Sequence, residues 1–183
     1  MLTYIKQLIK KPKETGTICA SSPLLINSVL KNVNFSKDQF IIELWAWDWC
    51  FTKEIIKNMS ANSQLIIFEI NESYKKELEK IIGNDQRVKL IFDSAENMEK
   101  YCEWKQPNVI VSTVPLTMLD NKIVKNILLE VKKNLQIWWL FLQIQYSLIA
   151  KKLIETHLGE IKLWFELLNI PPSFIYIYEK PAE

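Results

Sequence analysis

The sequence is short of glycine, of patterned cysteine, of long apolar runs and of charge of one sign, and each shortage excludes something. Three cysteines (Cys19, Cys50 and Cys102) are scattered over 183 residues without metal-ligand spacing. An odd, unpatterned set argues against a disulfide framework and suits a reduced, cytoplasmic compartment. No apolar run reaches the roughly 18 residues needed to span a bilayer. The most apolar stretch runs only from Ile137 to Leu142, and the opening Met1-Leu2-Thr3-Tyr4-Ile5-Lys6 lacks the layout of a signal peptide. A net charge of +2 is too small to argue for nucleic-acid binding by itself. Average usage would supply about a dozen glycines; this chain has three, Gly16, Gly83 and Gly159, beside seven tryptophans.

What remains is an ordinary globular composition, 49% hydrophobic and 24% charged, long enough for one domain with a sizeable core. With no repeat or linker, residues 1–183 read as a single domain, of which 1–35 form a helical extension. Leu2, Ile5, Leu8 and Ile9 recur at helical spacing with Lys6, Lys10 and Lys11 between them, which predicts an amphipathic helix over 1–11 ended by Pro12. Such a helix either lies on anionic lipid or packs over the sheet. Ser22-Pro23 predicts a second helix start, running to about Val33.

Beyond Lys37-Asp38, strands are expected at Phe40–Leu44, Leu65–Phe68, Val88–Phe92, Val109–Ser112 and Leu140–Tyr146. Helices are expected between them, near Phe51–Met59, Glu72–Ile82, Ala95–Tyr101 and Asn121–Lys133, with another from about Ser147 to His157. Two last strands, Ile161–Leu168 and Phe174–Tyr178, have no helix between them. This alternation predicts an α/β, Rossmann-like fold: a mostly parallel seven-stranded sheet, helices on both faces and an antiparallel edge hairpin. Ligands of such sheets bind beyond the carboxyl ends of the strands, near the first βα turn.

That turn reads Glu43-Leu44-Trp45-Ala46-Trp47-Asp48-Trp49. With glycine at its three tryptophans it becomes E-L-G-A-G-D-G, which closely resembles motif I of the class I S-adenosylmethionine-dependent methyltransferases. A turn that reverses sharply beside a cofactor needs glycine, because no side chain fits and positive φ penalises a bulky residue. Ile137-Trp138-Trp139-Leu140-Phe141 likewise resembles the P-G-G-x-F turn that opens the fifth strand of these enzymes. Trp104 lies in a polar loop and Trp164 in the sixth strand. Reading all seven as glycine gives ten glycines, near the average share, and no tryptophan. This is what arises when a gene whose organism decodes UGA as glycine is translated with UGA as tryptophan. The competing reading keeps seven real aromatic residues, in a core or an exposed patch.

The resemblance implies S-adenosylmethionine as cofactor and assigns residues to it. Trp45, Trp47 and Trp49 occupy the loop positions that approach the cofactor. Glu43 heads the motif, orienting the loop or accepting from the methionine amino group; otherwise it is a buried structural carboxylate. Glu69, 24 positions after Trp45, is placed for the ribose hydroxyls, or is a strand-end carboxylate. Asp93-Ser94 resembles the acid that meets the adenine amino group, with Phe92 departing from the usual glycine; either residue can also cap the next helix. Ser112 follows at the end of the fourth strand.

Several segments sharpen the resemblance towards bacterial phospholipid N-methyltransferases: Thr15-Gly16-Thr17-Ile18 with Ser21-Ser22, Ser112-Thr113-Val114-Pro115-Leu116, Phe141-Leu142-Gln143-Ile144-Gln145-Tyr146, and Asn169-Ile170-Pro171-Pro172-Ser173-Phe174. It implies N-methylation of a phospholipid amine such as phosphatidylethanolamine, or of another small amine, by a protein peripheral to the inner face of the membrane through residues 1–11. Tyr146 is the candidate catalytic contact to the amine, by hydrogen bond or cation–π interaction, or else a core tyrosine. His157, the only histidine, reads as structural. The related ribosomal RNA adenine dimethylases are the rival. They place a polar-Pro-Pro-aromatic tetrad after the fourth strand, where this chain has Thr113-Val114-Pro115-Leu116; the expectation is therefore no nucleic-acid partner. If the tryptophans are real, the alternative is a catalytically dead methyltransferase fold.

Overall fold

A computed structural model describes residues 21–102 and 105–182. The predicted helix over 1–11, the Thr15–Ile18 segment and Trp104 lie outside the described residues. In chain order the elements are α1 (Pro23–Leu30), β1 (Phe40–Leu44), α2 (Cys50–Asn58), β2 (Gln64–Phe68), α3 (Lys75–Ile82), β3 (Val88–Ile91), α4 (Glu99–Cys102), β4 (Val109–Ser112), α5 (Asn121–Asn134), β5 (Leu140–Gln145), α6 (Lys151–Leu158), β6 (Lys162–Glu166) and β7 (Ser173–Glu179). Single 3-10 turns precede α3, α4 and α5.

The seven strands form one sheet in the order β3-β2-β1-β4-β5-β7-β6. Five are parallel, and β7 runs antiparallel between β5 and β6. All five residues of β1 are buried, as a central strand covered on both faces requires. Alternate residues point to opposite faces, so Phe40, Ile42 and Leu44 join the layer under α5 and α6. Ile41 joins Leu25, Val29, Phe51, Ile55 and Leu78 in the layer under α1, α2 and α3.

Where elements depart from the pattern, a named interaction ends them. The first helix stops at Leu30, short of Val33, where the Asn32 side chain donates to the carbonyls of Ser28 and Val29. The helix after β5 starts at Lys151 and not at Ser147, because the Tyr176 hydroxyl donates to the Ser147 carbonyl at 2.8 Å and holds that stretch as a turn. β6 ends at Glu166 because the chain is drawn off to Asn169, whose Oδ1 accepts from the Ser22 amide at 2.9 Å.

Arg87 closes the far end of the α2–β2 connection. Its guanidinium pairs with Asp85 at 2.6 Å and donates to the carbonyls of Met59 and Ser60 at 2.9 and 3.0 Å. Lysine keeps the charge but not the fork that satisfies three partners at once. Arg87→Lys should therefore lower unfolding stability by about 1–2 kcal/mol, read as a lower urea midpoint at unchanged slope; an unchanged midpoint would remove Arg87 from the stability argument.

Candidate functional site

The carboxyl ends of β1, β2 and β4 meet at a cavity of about 270 Å³. Its walls are mostly apolar: Phe68 and Ile70 after β2, Val114 after β4, and Ile123 and Ile127 of α5, with Asp93 and Ser94 at the polar end. An apolar slot with a few convergent polar groups suits a flat heterocycle carrying exocyclic nitrogen. Trp45 forms another wall. The volume falls just under the usual small-ligand range of about 300–1,000 Å³.

The turn that supports the cavity is tightly held. The Trp45 amide donates to Phe68 O at 2.8 Å, and the Thr113 hydroxyl donates to Trp45 O at 2.6 Å, tying β1, β2 and β4 together at their tips. Trp45 has φ 72° and Trp49 φ 46°, while Trp138 has φ 67°. These three are the non-glycine residues with positive φ among the described residues. Left-handed backbone costs an L-residue roughly 1–2 kcal/mol, and a bulky side chain there is a true outlier. Trp138 is the third residue of a Gln136–Trp139 turn closed by a 3.2 Å hydrogen bond. That is where turns with positive φ at the third residue take glycine. Trp47 and Trp49 are half-buried and pack toward the α1–α2 layer, Trp49 edge-on to Tyr74.

Three carboxylates sit beneath this turn. Glu43, on β1, is fully enclosed and accepts from the Thr52 hydroxyl at 2.7 Å. Burial pushes its carboxyl up to about 8, reinforced by the charges of Asp48 and Glu69. Asp48 accepts from the Ser21 hydroxyl and the Cys50 amide, and burial raises it too. Glu69 follows β2 directly; its Oε1 accepts from the Asn71 amide at 2.8 Å, whereas its buried Oε2 has no partner. Burial raises Glu69 to about 7. A buried acceptor without a donor is costly.

Asp93 differs. It accepts from the Ser94 amide, the Asn97 side chain and the Tyr101 hydroxyl at 2.7, 2.8 and 2.9 Å. Ser94 caps the following turn through the Glu96 amide. Ser94 therefore caps that turn and Asp93 does not, while both line the cavity. Ser112 is fully buried, with its hydroxyl accepting from the Val114 amide at 3.3 Å. Tyr146, just past β5, is half-exposed, and its phenol is raised by partial burial and by the Asp48 carboxylate; it is not among the residues that line the cavity.

Gln143 and Gln145 were not singled out as site residues. Both are buried, and both amides donate to Val114 O, at 3.0 and 2.7 Å, fixing the wall after β4. Two glutamines on one face of an otherwise apolar strand are the signal that could have marked them. Among the described residues no group of His, Cys, Asp and Glu could hold a metal ion, and no helix is long and apolar enough to cross a membrane.

No family model matches the chain. It is 19% identical over 177 residues to the ornithine lipid N-methyltransferase of Singulisphaera acidiphila, covering 94% of this chain and 92% of that protein. The N-methyltransferase NodS of Bradyrhizobium japonicum, solved with S-adenosylhomocysteine, superposes with a TM-score of 0.72 at 8% identity over 98% of both chains. A precorrin-6y C5,15-methyltransferase from Geobacter metallireducens gives 0.70 at 14% identity, over 91% of this chain and 94% of that one. The chain thus has the class I S-adenosylmethionine-dependent methyltransferase fold and is a distant relative of a lipid-headgroup N-methyltransferase.

Two predictions follow from the site's chemistry. Glu43 and Glu69 have folded-state pKa values above their ordinary 4.5, so the folded protein holds protons that the unfolded chain releases. Stability must then fall as pH rises from about 5 to 8, and Glu43→Gln should flatten that slope by on the order of 1 kcal/mol. Urea midpoints at pH 5 and 8 measure this. The depressed Asp85 and Asp93 act only at lower pH, so a flat wild-type profile would mean that both glutamates ionise normally. Separately, Trp138 is 64% exposed and contributes little packing, so Trp138→Gly should raise stability by about 1 kcal/mol; a loss would mean that the indole is held by contacts worth more than the strain.

Proposed function

We propose that the chain is an S-adenosylmethionine-dependent N-methyltransferase acting on the amine of a lipid headgroup, and that its seven tryptophan positions are glycine in the protein the cell makes. The observation that carries the reading is the cavity at the first βα turn, lined by Trp45, Phe68, Ile70, Asp93 and Ser94; the buried Glu69 oxygen without a donor, between Phe68 and Ile70 in the chain, adds to it. Glu69 would take the ribose hydroxyls, and the apolar slot between Phe68, Ile70 and Val114 the adenine, with Asp93 and Ser94 at its polar end. Residues 45, 47 and 49 as glycine would let backbone amides approach where indoles now stand. The positive φ at Trp45, Trp49 and Trp138 supports glycine at these positions.

When bound, S-adenosylmethionine supplies a methyl group on an electrophilic sulfonium sulfur. The protein's share of the work is positioning. Glu43, neutral at pH 7 by its raised pKa, and Thr52 hold the turn from beneath. Gln143 and Gln145 fix the Val114 wall, so that cofactor and acceptor pockets keep a set separation. Tyr146, just past β5, would offer a phenol to the acceptor amine, which must be unprotonated to attack; its ring face also suits the cationic product. The lipid acceptor is supported by the ornithine lipid N-methyltransferase relative, and the phospholipid amine by the segments quoted above. The positions after β4 lack the aromatic that would stack an adenine.

The test begins with the codons at the seven positions and with peptide mass spectrometry of the native protein. Glycine in the peptides is expected. The glycine form should bind S-adenosylhomocysteine at least 100-fold more tightly than the tryptophan form by calorimetry, and transfer labelled methyl to phosphatidylethanolamine or an ornithine lipid. Glu69→Gln should weaken cofactor binding about tenfold or more. Tryptophan in native peptides, with no cofactor binding, would leave a methyltransferase fold without its activity.

A further inference from the structure

The fold leaves one rim of the molecule studded with apolar side chains that the core does not use. Ile170 is 90% exposed, Ile149 79%, Leu168 68% and Leu167 65%. They lie in two connections, β5–α6 and β6–β7. The register places both at the carboxyl edge of the parallel strands: Gln145 pairs with Phe174, and Glu166 with Ser173. This is the edge at which the cavity opens.

These side chains are held outward by a built support. Asn169, 1% exposed, accepts from the Ser22 amide and donates to Pro171 O and Ser173 Oγ at 2.8 and 2.9 Å. Its buried amide locks the loop while its neighbours Leu168 and Ile170 face solvent. Tyr176 does the same for the other loop through Ser147 O. A loop that spends a buried, fully bonded asparagine to present apolar neighbours to water is organised for a surface that welcomes them. Directly behind Ile149, Lys151 and Lys152 open α6, and Lys152 shares a cleft with Ile149 and Leu116. Apolar tips backed by cations match the layering of an anionic bilayer, acyl chains inside and phosphates above them.

We propose that this rim, loops 147–150 and 167–170 with Lys151 and Lys152, is the face on which the protein sits on an anionic lipid bilayer. The inference rests on the lipid-acceptor reading and adds the docking surface. A headgroup lifted from that bilayer reaches the site from the side on which the cavity opens, so the protein need not extract the whole lipid.

The test is co-sedimentation of the full chain with vesicles of phosphatidylglycerol and phosphatidylcholine, against pure phosphatidylcholine, without cofactor. The wild type should prefer the anionic vesicles, and added salt should weaken binding. The double variant Ile149→Asp/Ile170→Asp should bind at least tenfold more weakly at unchanged Tm, and Lys151→Glu/Lys152→Glu should lose the preference for anionic lipid. Leu129→Asp, on the exposed side of α5, should change nothing. Rim variants that bind vesicles like the wild type would overturn the proposal, as would a wild type that ignores vesicles. A dimer that light scattering detects and the rim variants abolish, without a loss of vesicle binding, would assign the rim to a second copy instead. Cofactor calorimetry is independent of these outcomes, so the docking surface can fail while the methyltransferase reading stands.

Discussion

Between Leu44 and Cys50 the backbone must leave the centre of the sheet, turn left-handed twice and enter a helix, all within hydrogen-bond reach of β2 and β4. The Trp45 amide bonded to Phe68 O and the Thr113 hydroxyl bonded to Trp45 O fix that path. Everything at the site is referred to it: Trp45 forms a wall of the cavity, Glu43 and Asp48 lie beneath the turn, and Tyr146 is close enough to feel Asp48. Backbone that is both left-handed and close to a ligand tolerates only a missing side chain. The geometry of the turn and the residues written into it are therefore in conflict, and the conflict is local to the tryptophans.

The buried carboxylates carry the second constraint. Glu43, Asp48 and Glu69 share one small volume, and burial raises all three. Such a cluster is a liability to a protein that only folds, because it weakens the fold across the neutral range. Glu43 and Asp48 offset part of this through Thr52, Ser21 and Cys50. Glu69 does so through one oxygen only, its Oε1 accepting from the Asn71 amide while Oε2 is left without a donor. That separates Glu43 and Asp48, whose hydrogen bonds tie the turn to its neighbours, from Glu69, the carboxylate on which the proposed ribose contact rests.

The order of strands and helices was legible in the sequence because periodicity changes cleanly from two to 3.6 along it. β1 and β4 fall where their apolar runs place them. What periodicity could not show were the ends decided at long range: β6 yields two residues at its end to a contact with Ser22, far away in the chain, and α6 waits for the turn held by Tyr176. The site was legible only through its motif. Glu69 and Asp93 stood out as acids after strands, but nothing in the sequence distinguished one with a free oxygen from one whose oxygens already take three donors. Gln143 and Gln145 were visible as a pattern without a role, because their shared acceptor, Val114 O, lies in the connection after β4, about thirty residues earlier in the chain.

Three positions in two turns hold tryptophan at positive φ, where glycine is favoured. One lies beside the cavity, one at the start of α2, and one before β5 at the opposite end of the sheet, where no ligand is involved. A functional explanation such as an aromatic lid would account for the first two and leave Trp138 unexplained. A packing explanation fails there as well, since that indole is largely in solvent. The proposed glycines would relax all three positions at once. Trp138 lies away from the cavity, so its positive φ supports that proposal independently of any cofactor.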